Sequence, residues 1–95
     1  MATSNEKIPI ASQIVAIGAA SVASTPVGHQ TYEVLLSATG NCHVAIGNGV
    51  AATATSTYLP ANTQPLKIGI RPGNTVAVIQ DGTATGNLSI TELSA

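Results

Sequence analysis

Apolar and polar residues alternate along several short segments of this chain, and this alternation limits the possible fold more than any other feature. In the clearest segment, residues 66–71, every second residue is Leu or Ile and the intervening residues are charged or glycine. Successive side chains of a β-strand point to opposite faces, so the pattern predicts a strand with one buried face. Pro72 and Gly73 follow at once and predict a tight type II turn, in which glycine takes the positive φ.

Comparable segments, separated by turn residues such as Asp81-Gly82, predict an all-β chain. Helix signals are nearly absent, because β-branched residues dominate and Gly or Pro recurs along the chain. We therefore expect an antiparallel β-sandwich of about eight short strands, with a jelly roll as the favoured topology. The region 49–57 is rich in Ala, Thr and Ser, has no period and is predicted to be a surface loop. The predicted strands are residues 8–17, 21–27, 31–36, 42–47, 55–59, 66–71, 75–79 and 88–91.

Length and composition predict one domain with a thin core. The chain has 95 residues, and although 44% of them are apolar, it has no Phe, no Trp and only Tyr32 and Tyr58 as aromatic residues. A chain of this size forms a single core. Since each aromatic side chain buries about 150–250 Å², we expect further copies of the chain to supply buried area. Residues 1–9 are predicted to form an extended arm and residues 10–95 the sandwich domain.

The chain carries few charges, with three cations and four anions giving a formal net charge of −1. Proteins bind nucleic acid through clustered Lys and Arg, so a nucleic-acid partner is not expected. The longest apolar run, residues 14–20, is too short to span a bilayer and no secretion signal is recognisable, so no membrane partner is expected. Cys42 is the only cysteine and cannot form an internal disulfide.

Residues 47–52, Gly-Asn-Gly-Val-Ala-Ala, match the glycine pattern of dinucleotide-binding proteins. Such a site needs a helix whose N-terminus faces the pyrophosphate. The Thr, Ala and Ser residues that follow, up to Pro60, are poor helix formers. We therefore interpret the segment as a glycine-rich hairpin loop and expect no cofactor.

Titratable residues are too few to indicate catalysis. Cys42 and His43 are neighbours, so on a strand they point to opposite faces, and zinc usually needs three or four protein ligands. We expect a buried thiol, a solvent-facing or interfacial His43, and no metal. A Ser-His-Asp system would combine His29 or His43 with Asp81, but no Gly-x-Ser-x-Gly elbow occurs. We predict that the protein is not an enzyme.

Several segments within residues 41–93 resemble a group of small tailed-phage virion structural proteins. The segments are residues 42–47, the loop leading to residues 58–61, residues 70–79 around the Pro72-Gly73 turn, and residues 86–93. The resemblance implies a particle protein. Members of this group include decoration or cement proteins that bind the capsid, often as trimers.

The preferred function is therefore a capsid decoration or cement protein of the virion, bound to the major capsid protein and assembled in the host cytoplasm. One alternative is a tail, neck or head-fibre component. Another is a carbohydrate-binding sandwich, for which only Tyr58 is available to stack on sugar rings. The candidate interface combines the arm with the loops around Gly49 and Tyr58. Its residues are Glu6, Lys7, Ile8, His43, Asn48, Tyr58 and Leu59.

Overall fold

The computed structural model describes residues 9–29, 31–62 and 64–93, and the regular structure within them consists of eight β-strands. Each predicted strand is present, although its ends differ by a few residues. Residues 1–8 of the predicted arm lie outside the described residues, and Pro9 begins the first strand. The strands are β1 Pro9–Ile17, β2 Val22–Ala23, β3 Glu33–Ala38, β4 Cys42–Gly47, β5 Thr57–Leu59, β6 Leu66–Gly69, β7 Thr75–Gln80 and β8 Gly86–Leu93.

The strands form two four-stranded antiparallel sheets that pack as a sandwich, which confirms the predicted fold class. Sheet A has the order β1-β8-β3-β6, and sheet B has the order β2-β7-β4-β5. The pairings are nested along the chain, since β1 pairs with β8, β2 with β7, β3 with β6 and β4 with β5. This order is consistent with the jelly-roll topology expected from the sequence.

The core between the sheets is aliphatic. Leu88 and Ile90 of β8 are fully buried, as are Val76 and Val78 of β7. The two tyrosines lie outside it, so this core holds no aromatic side chain among the described residues. The core of the sandwich is therefore mainly aliphatic, as the composition predicted.

A buried carboxylate closes one end of the core. Glu92, near the end of β8, accepts hydrogen bonds through Oε1 from the Gly28 backbone N–H at 3.0 Å and the Thr31 hydroxyl at 2.6 Å. Burying a carboxylate is unfavourable unless hydrogen-bond donors replace water. The two bonds therefore fix the connection between β2 and β3 over the end of β8.

Both predicted turns are present. The Asn74 backbone N–H donates to the Arg71 carbonyl at 3.1 Å, and Gly73 has a φ of 84°, as a type II turn requires. At Asp81-Gly82, the Ala84 N–H donates to the Asp81 carbonyl at 3.1 Å. This second turn places Asp81 within hydrogen-bond distance of His43.

Truncating the core should be far more costly than truncating the surface of sheet A. Leu88→Ala removes a fully buried side chain and leaves a cavity, so we expect the free energy of unfolding to fall by about 2–5 kcal/mol. Ile14→Ala is the matched control, because Ile14 is 72% exposed and should change stability by about 0.5 kcal/mol or less. Urea denaturation followed by circular dichroism measures both, and equal losses would contradict the assigned core.

Candidate functional site

A row of three side chains crosses the outer face of sheet B. His43 of β4 lies directly opposite Tyr58 of β5 and, on its other side, opposite Ile79 of β7. The rings of His43 and Tyr58 pack at a centroid distance of 5.4 Å with planes tilted by 49°. Tyr58 is 47% exposed, so its ring is the part of the row most open to solvent.

Both ring nitrogens of His43 contact hydrogen-bond acceptors. Nδ1 lies 2.9 Å from the Ser56 carbonyl oxygen, and Nε2 lies 2.9 Å from Oδ1 of Asp81. A neutral imidazole carries a single N–H and can satisfy one of these acceptors, whereas the imidazolium donates to both. The geometry therefore favours the protonated, positively charged form of His43.

The same contacts raise the pKa of His43 above its ordinary value. The largest cause is the hydrogen bond to Asp81, followed by the hydrogen bond to the Ser56 carbonyl, and the negative charge of Asp81 adds a smaller contribution. Burial of the ring acts in the opposite direction and is outweighed. His43 is 9% exposed, so of the two predicted placements, solvent-facing or interfacial, the solvent-facing one is wrong.

His43 and Asp81 lie at ion-pairing distance, and the protonated ring that both contacts favour has no free nitrogen to act as a general base. The third group of the cluster, Ser56, contributes its backbone carbonyl, while its hydroxyl lies 3.0 Å from the Thr53 N–H, which donates to it. A catalytic serine would have to reach an unprotonated ring nitrogen. With both nitrogens of His43 donating, the cluster acts as a structural clamp.

The clamp holds a loop across sheet B. The β4–β5 loop, residues 48–56, is attached at its end by the Ser56 carbonyl and at its middle by the Ala52 N–H, which donates to the Ser21 hydroxyl at 2.8 Å. Ala77 points to the outer face of β7 but is 0% exposed, and we infer that this loop covers it. The loop is exposed over most of its length, as predicted, and Ala52 is its one buried residue.

Cys42 points to the opposite face, into the core, as predicted. Its Sγ donates to the Leu59 carbonyl at 3.8 Å, and burial raises the pKa of the thiol to about 11. At neutral pH the thiol is therefore protonated and a poor nucleophile or metal ligand. Among the described residues, no group of three His, Cys, Asp or Glu side chains is placed to hold a metal ion.

The predicted interface residues are not all at one surface. His43 and Tyr58 are in contact, and Asn48 is exposed where the β4–β5 loop leaves β4. Leu59 is only 4% exposed, because it alternates with Tyr58 and points into the core, so it is wrongly placed at an interface. The remaining predicted residues lie outside the described part of the chain. These are Glu6, Lys7 and Ile8.

Comparisons with protein-family models, with curated proteins and with solved structures gave no match to this chain. Within residues 9–29, 31–62 and 64–93, no pocket is detected and no helix is long and apolar enough to cross a membrane. The glycine pattern at residues 47–52 begins at the end of β4 and continues into the β4–β5 loop.

The raised pKa of His43 gives stability a defined pH dependence. The ion pair stabilises the fold fully below the unfolded-state pKa of about 6.5, and its contribution is lost as the pH rises through the higher folded-state pKa. We therefore expect the urea midpoint of the native protein to fall as the pH rises above about 6.5, and to fall less in His43→Gln.

Asp81→Asn tests whether the contact with Asp81 is what raises the pKa of His43. It removes the charge and weakens the hydrogen bond, so the pKa of His43, read from its ring-proton chemical shifts, should fall relative to the native protein. Glu33→Gln is the matched control, because it removes a carboxylate from β3 in the other sheet and should leave that titration unchanged. A His43 titration unaffected by Asp81→Asn would contradict the ion pair.

Proposed function

We propose that this protein is a non-enzymatic structural component of a bacteriophage virion, which binds the major capsid protein and stabilises the shell as a decoration or cement protein. The observation that carries the proposal is the fold. The segments that resemble small phage structural proteins include β4, β5 and β7 of sheet B and β8 of sheet A. The proposed location is the virion, assembled in the host cytoplasm.

A decoration protein stabilises a shell by binding the assembled state and not the separated subunits. A surface with few charges suits this role, since it can contact a flat partner without desolvating many ions. The outer face of sheet A has this character where β1 meets β8: Ser12 of β1 and Thr91 of β8 lie side by side there, with their hydroxyl oxygens 3.3 Å apart.

The exposed edge of the His43 cluster is the proposed docking point. Tyrosine is enriched at protein interfaces, because it offers a large apolar ring and a polar tip with little side-chain entropy to lose. The Tyr58 ring is held against His43 before any partner binds. Asn48 is exposed on the loop that the same cluster fixes, and its amide adds hydrogen-bonding groups.

Cryo-electron microscopy of particles from the phage that encodes this chain tests the proposal. We expect mass spectrometry to find the chain in purified particles, and density for a small β-sandwich to lie on the capsid shell. Density on the tail, the neck or a fibre would replace the decoration function with that alternative. Absence of the chain from purified particles would contradict a virion function altogether.

Binding to particles that lack the protein tests the docking point. Tyr58→Ala should reduce co-sedimentation with undecorated capsids, raising the dissociation constant by about tenfold or more, as for an interface aromatic. Tyr32→Ala is the matched control, because Tyr32 is 56% exposed and lies outside the cluster. Equal capsid occupancy of the two variants would show that Tyr58 is not part of the interface.

Deleting residues 1–8 tests whether the predicted arm also contacts the particle. If Glu6, Lys7 and Ile8 bind a capsid subunit or a neighbouring copy, the deletion should lower both occupancy and the temperature at which decorated particles lose their contents. Circular dichroism should stay unchanged, because the deleted residues precede β1. Full occupancy with unchanged particle heat resistance would show that the arm does not bind the particle. The loop around Tyr58 would then be the remaining candidate contact.

A further inference from the structure

Three of the four edge strands are protected against pairing with another chain. In sheet B, β2 has two residues, and β5 has three and ends just before Pro60. In sheet A, β6 has four residues and carries the exposed Lys67. Short length, proline and lysine are the features by which natural proteins prevent edge pairing. These three edges are therefore poor templates for an added strand.

The fourth edge, β1, lacks this protection. It has nine residues, none of them charged, and it pairs with β8 alone among the described strands. Pro9 and a register shift before Ala11 interrupt only its start, and the pairing from Ala11 to Ile17 is regular. In an antiparallel strand, alternate residues direct their backbone N–H and C=O groups away from the partner. The open side of β1 therefore presents a row of hydrogen-bonding groups.

The middle of this edge is apolar. Ile14 points to the outer face of sheet A and is 72% exposed, more than any other large apolar side chain that the structure describes. The strand is also fixed in position, because the Gln13 side-chain amide accepts from the Thr25 N–H at 3.0 Å and donates to the Thr25 carbonyl at 3.2 Å. A fixed strand loses little conformational entropy when it pairs.

We propose that β1 is an interface between two copies of this chain, in which the two β1 strands pair antiparallel about a two-fold axis. Each copy offers the same edge, so the contact is self-complementary. The pairing joins the two sheets A into one continuous sheet and satisfies the open backbone groups of both strands. No charge of one β1 faces a charge of the other, because residues 9–17 have none.

The alternation of side chains restricts the register. A two-fold axis perpendicular to the sheet keeps the outer face of both copies on the same side, so outward-pointing residues must oppose outward-pointing residues. Centring the axis on Ile14 places this side chain opposite its own copy and Ser12 opposite Ala16 of the other chain. Directly opposite side chains have Cβ atoms about 4.5–5.5 Å apart, so the two isoleucines bury each other.

This interface goes beyond capsid binding and does not depend on it. Pairing through β1 gives a two-fold dimer, whereas the resemblance to phage proteins implies trimers. The mass of the oligomer in solution therefore distinguishes the β1-paired dimer from a trimer. Size-exclusion chromatography with light scattering over a concentration series should give a dimer for the native chain. A monomer at every concentration, or a trimer, would overturn the β1 interface while leaving capsid binding open to its own test.

Ile14→Lys tests the position of the contact. It replaces the central apolar pair with two facing cations, so the dimer dissociation constant should rise by about tenfold or more. The variant should still fold, since Ile14 lies on the outer face of the sheet. Tyr32→Lys adds the same charge at an exposed site outside β1 and should leave the dimer unchanged. A dimer that survives Ile14→Lys would overturn the proposal.

Cross-linking provides a second, independent measurement. Ile14→Cys should be linked to its copy by a short bis-maleimide within the dimer, because the two side chains lie opposite each other. Tyr32→Cys should react with the reagent but should not link two chains. The native Cys42 provides little background, since it is fully buried and its pKa is raised to about 11. Failure of Ile14→Cys to cross-link in a dimeric protein would overturn the proposed register.

Discussion

The central position of β8 is the constraint on which the rest of the structure depends. β8 pairs with β1 on one side and β3 on the other, so the last described strand joins the first strand to the middle of the chain. Leu88 and Ile90 are fully buried beneath it, and Glu92 secures the connection that crosses its end. An antiparallel sheet can bury one face in this way only if every second residue of its central strand is apolar or fully hydrogen-bonded.

The thin aliphatic core explains why so much of the remaining order comes from polar contacts outside it. A core without aromatic side chains buries less area for each residue, and the outer faces of a sandwich contribute no further core. Here the β4–β5 loop is folded over sheet B and held by Ser21 and His43. The ion pair of His43 with Asp81 ties this loop to the turn between β7 and β8, so loop and turn are fixed together.

The two sheets differ in what they leave for other molecules. Sheet B is partly covered by its own loop, and Tyr58 stands at the rim of that cover. Sheet A keeps an open outer face, on which Ser12 and Thr91 lie side by side, and an uncharged edge at β1. A capsid contact near Tyr58 and a copy-to-copy contact along β1 would therefore use different surfaces, and one protein could make both at once.

The sequence alone determined the fold class and the positions of the strands, because alternation and turn residues act locally. The Leu and Ile residues of segment 66–71 and the turn at Pro72-Gly73 needed no knowledge of their partners. The opposite orientations of Cys42 and His43 followed from the same period. The strand predicted at residues 31–36 begins only at Glu33, and Tyr32, which precedes it, is 56% exposed.

Only the tertiary structure decided which residues meet and which surfaces stay open. His43, Ser56 and Asp81 are far apart along the chain, and nothing in their local pattern indicated that one ring would contact both acceptors. Leu59 was included among the interface residues although it lies in a predicted strand, because a three-residue strand is too short for its period to show which face is buried. The open edge at β1 depends on strand order, and strand order follows from long-range pairing and core packing. Local sequence determines to which face of a strand each side chain points. Whether that side chain is buried, and which residues it contacts, depends on the whole sandwich.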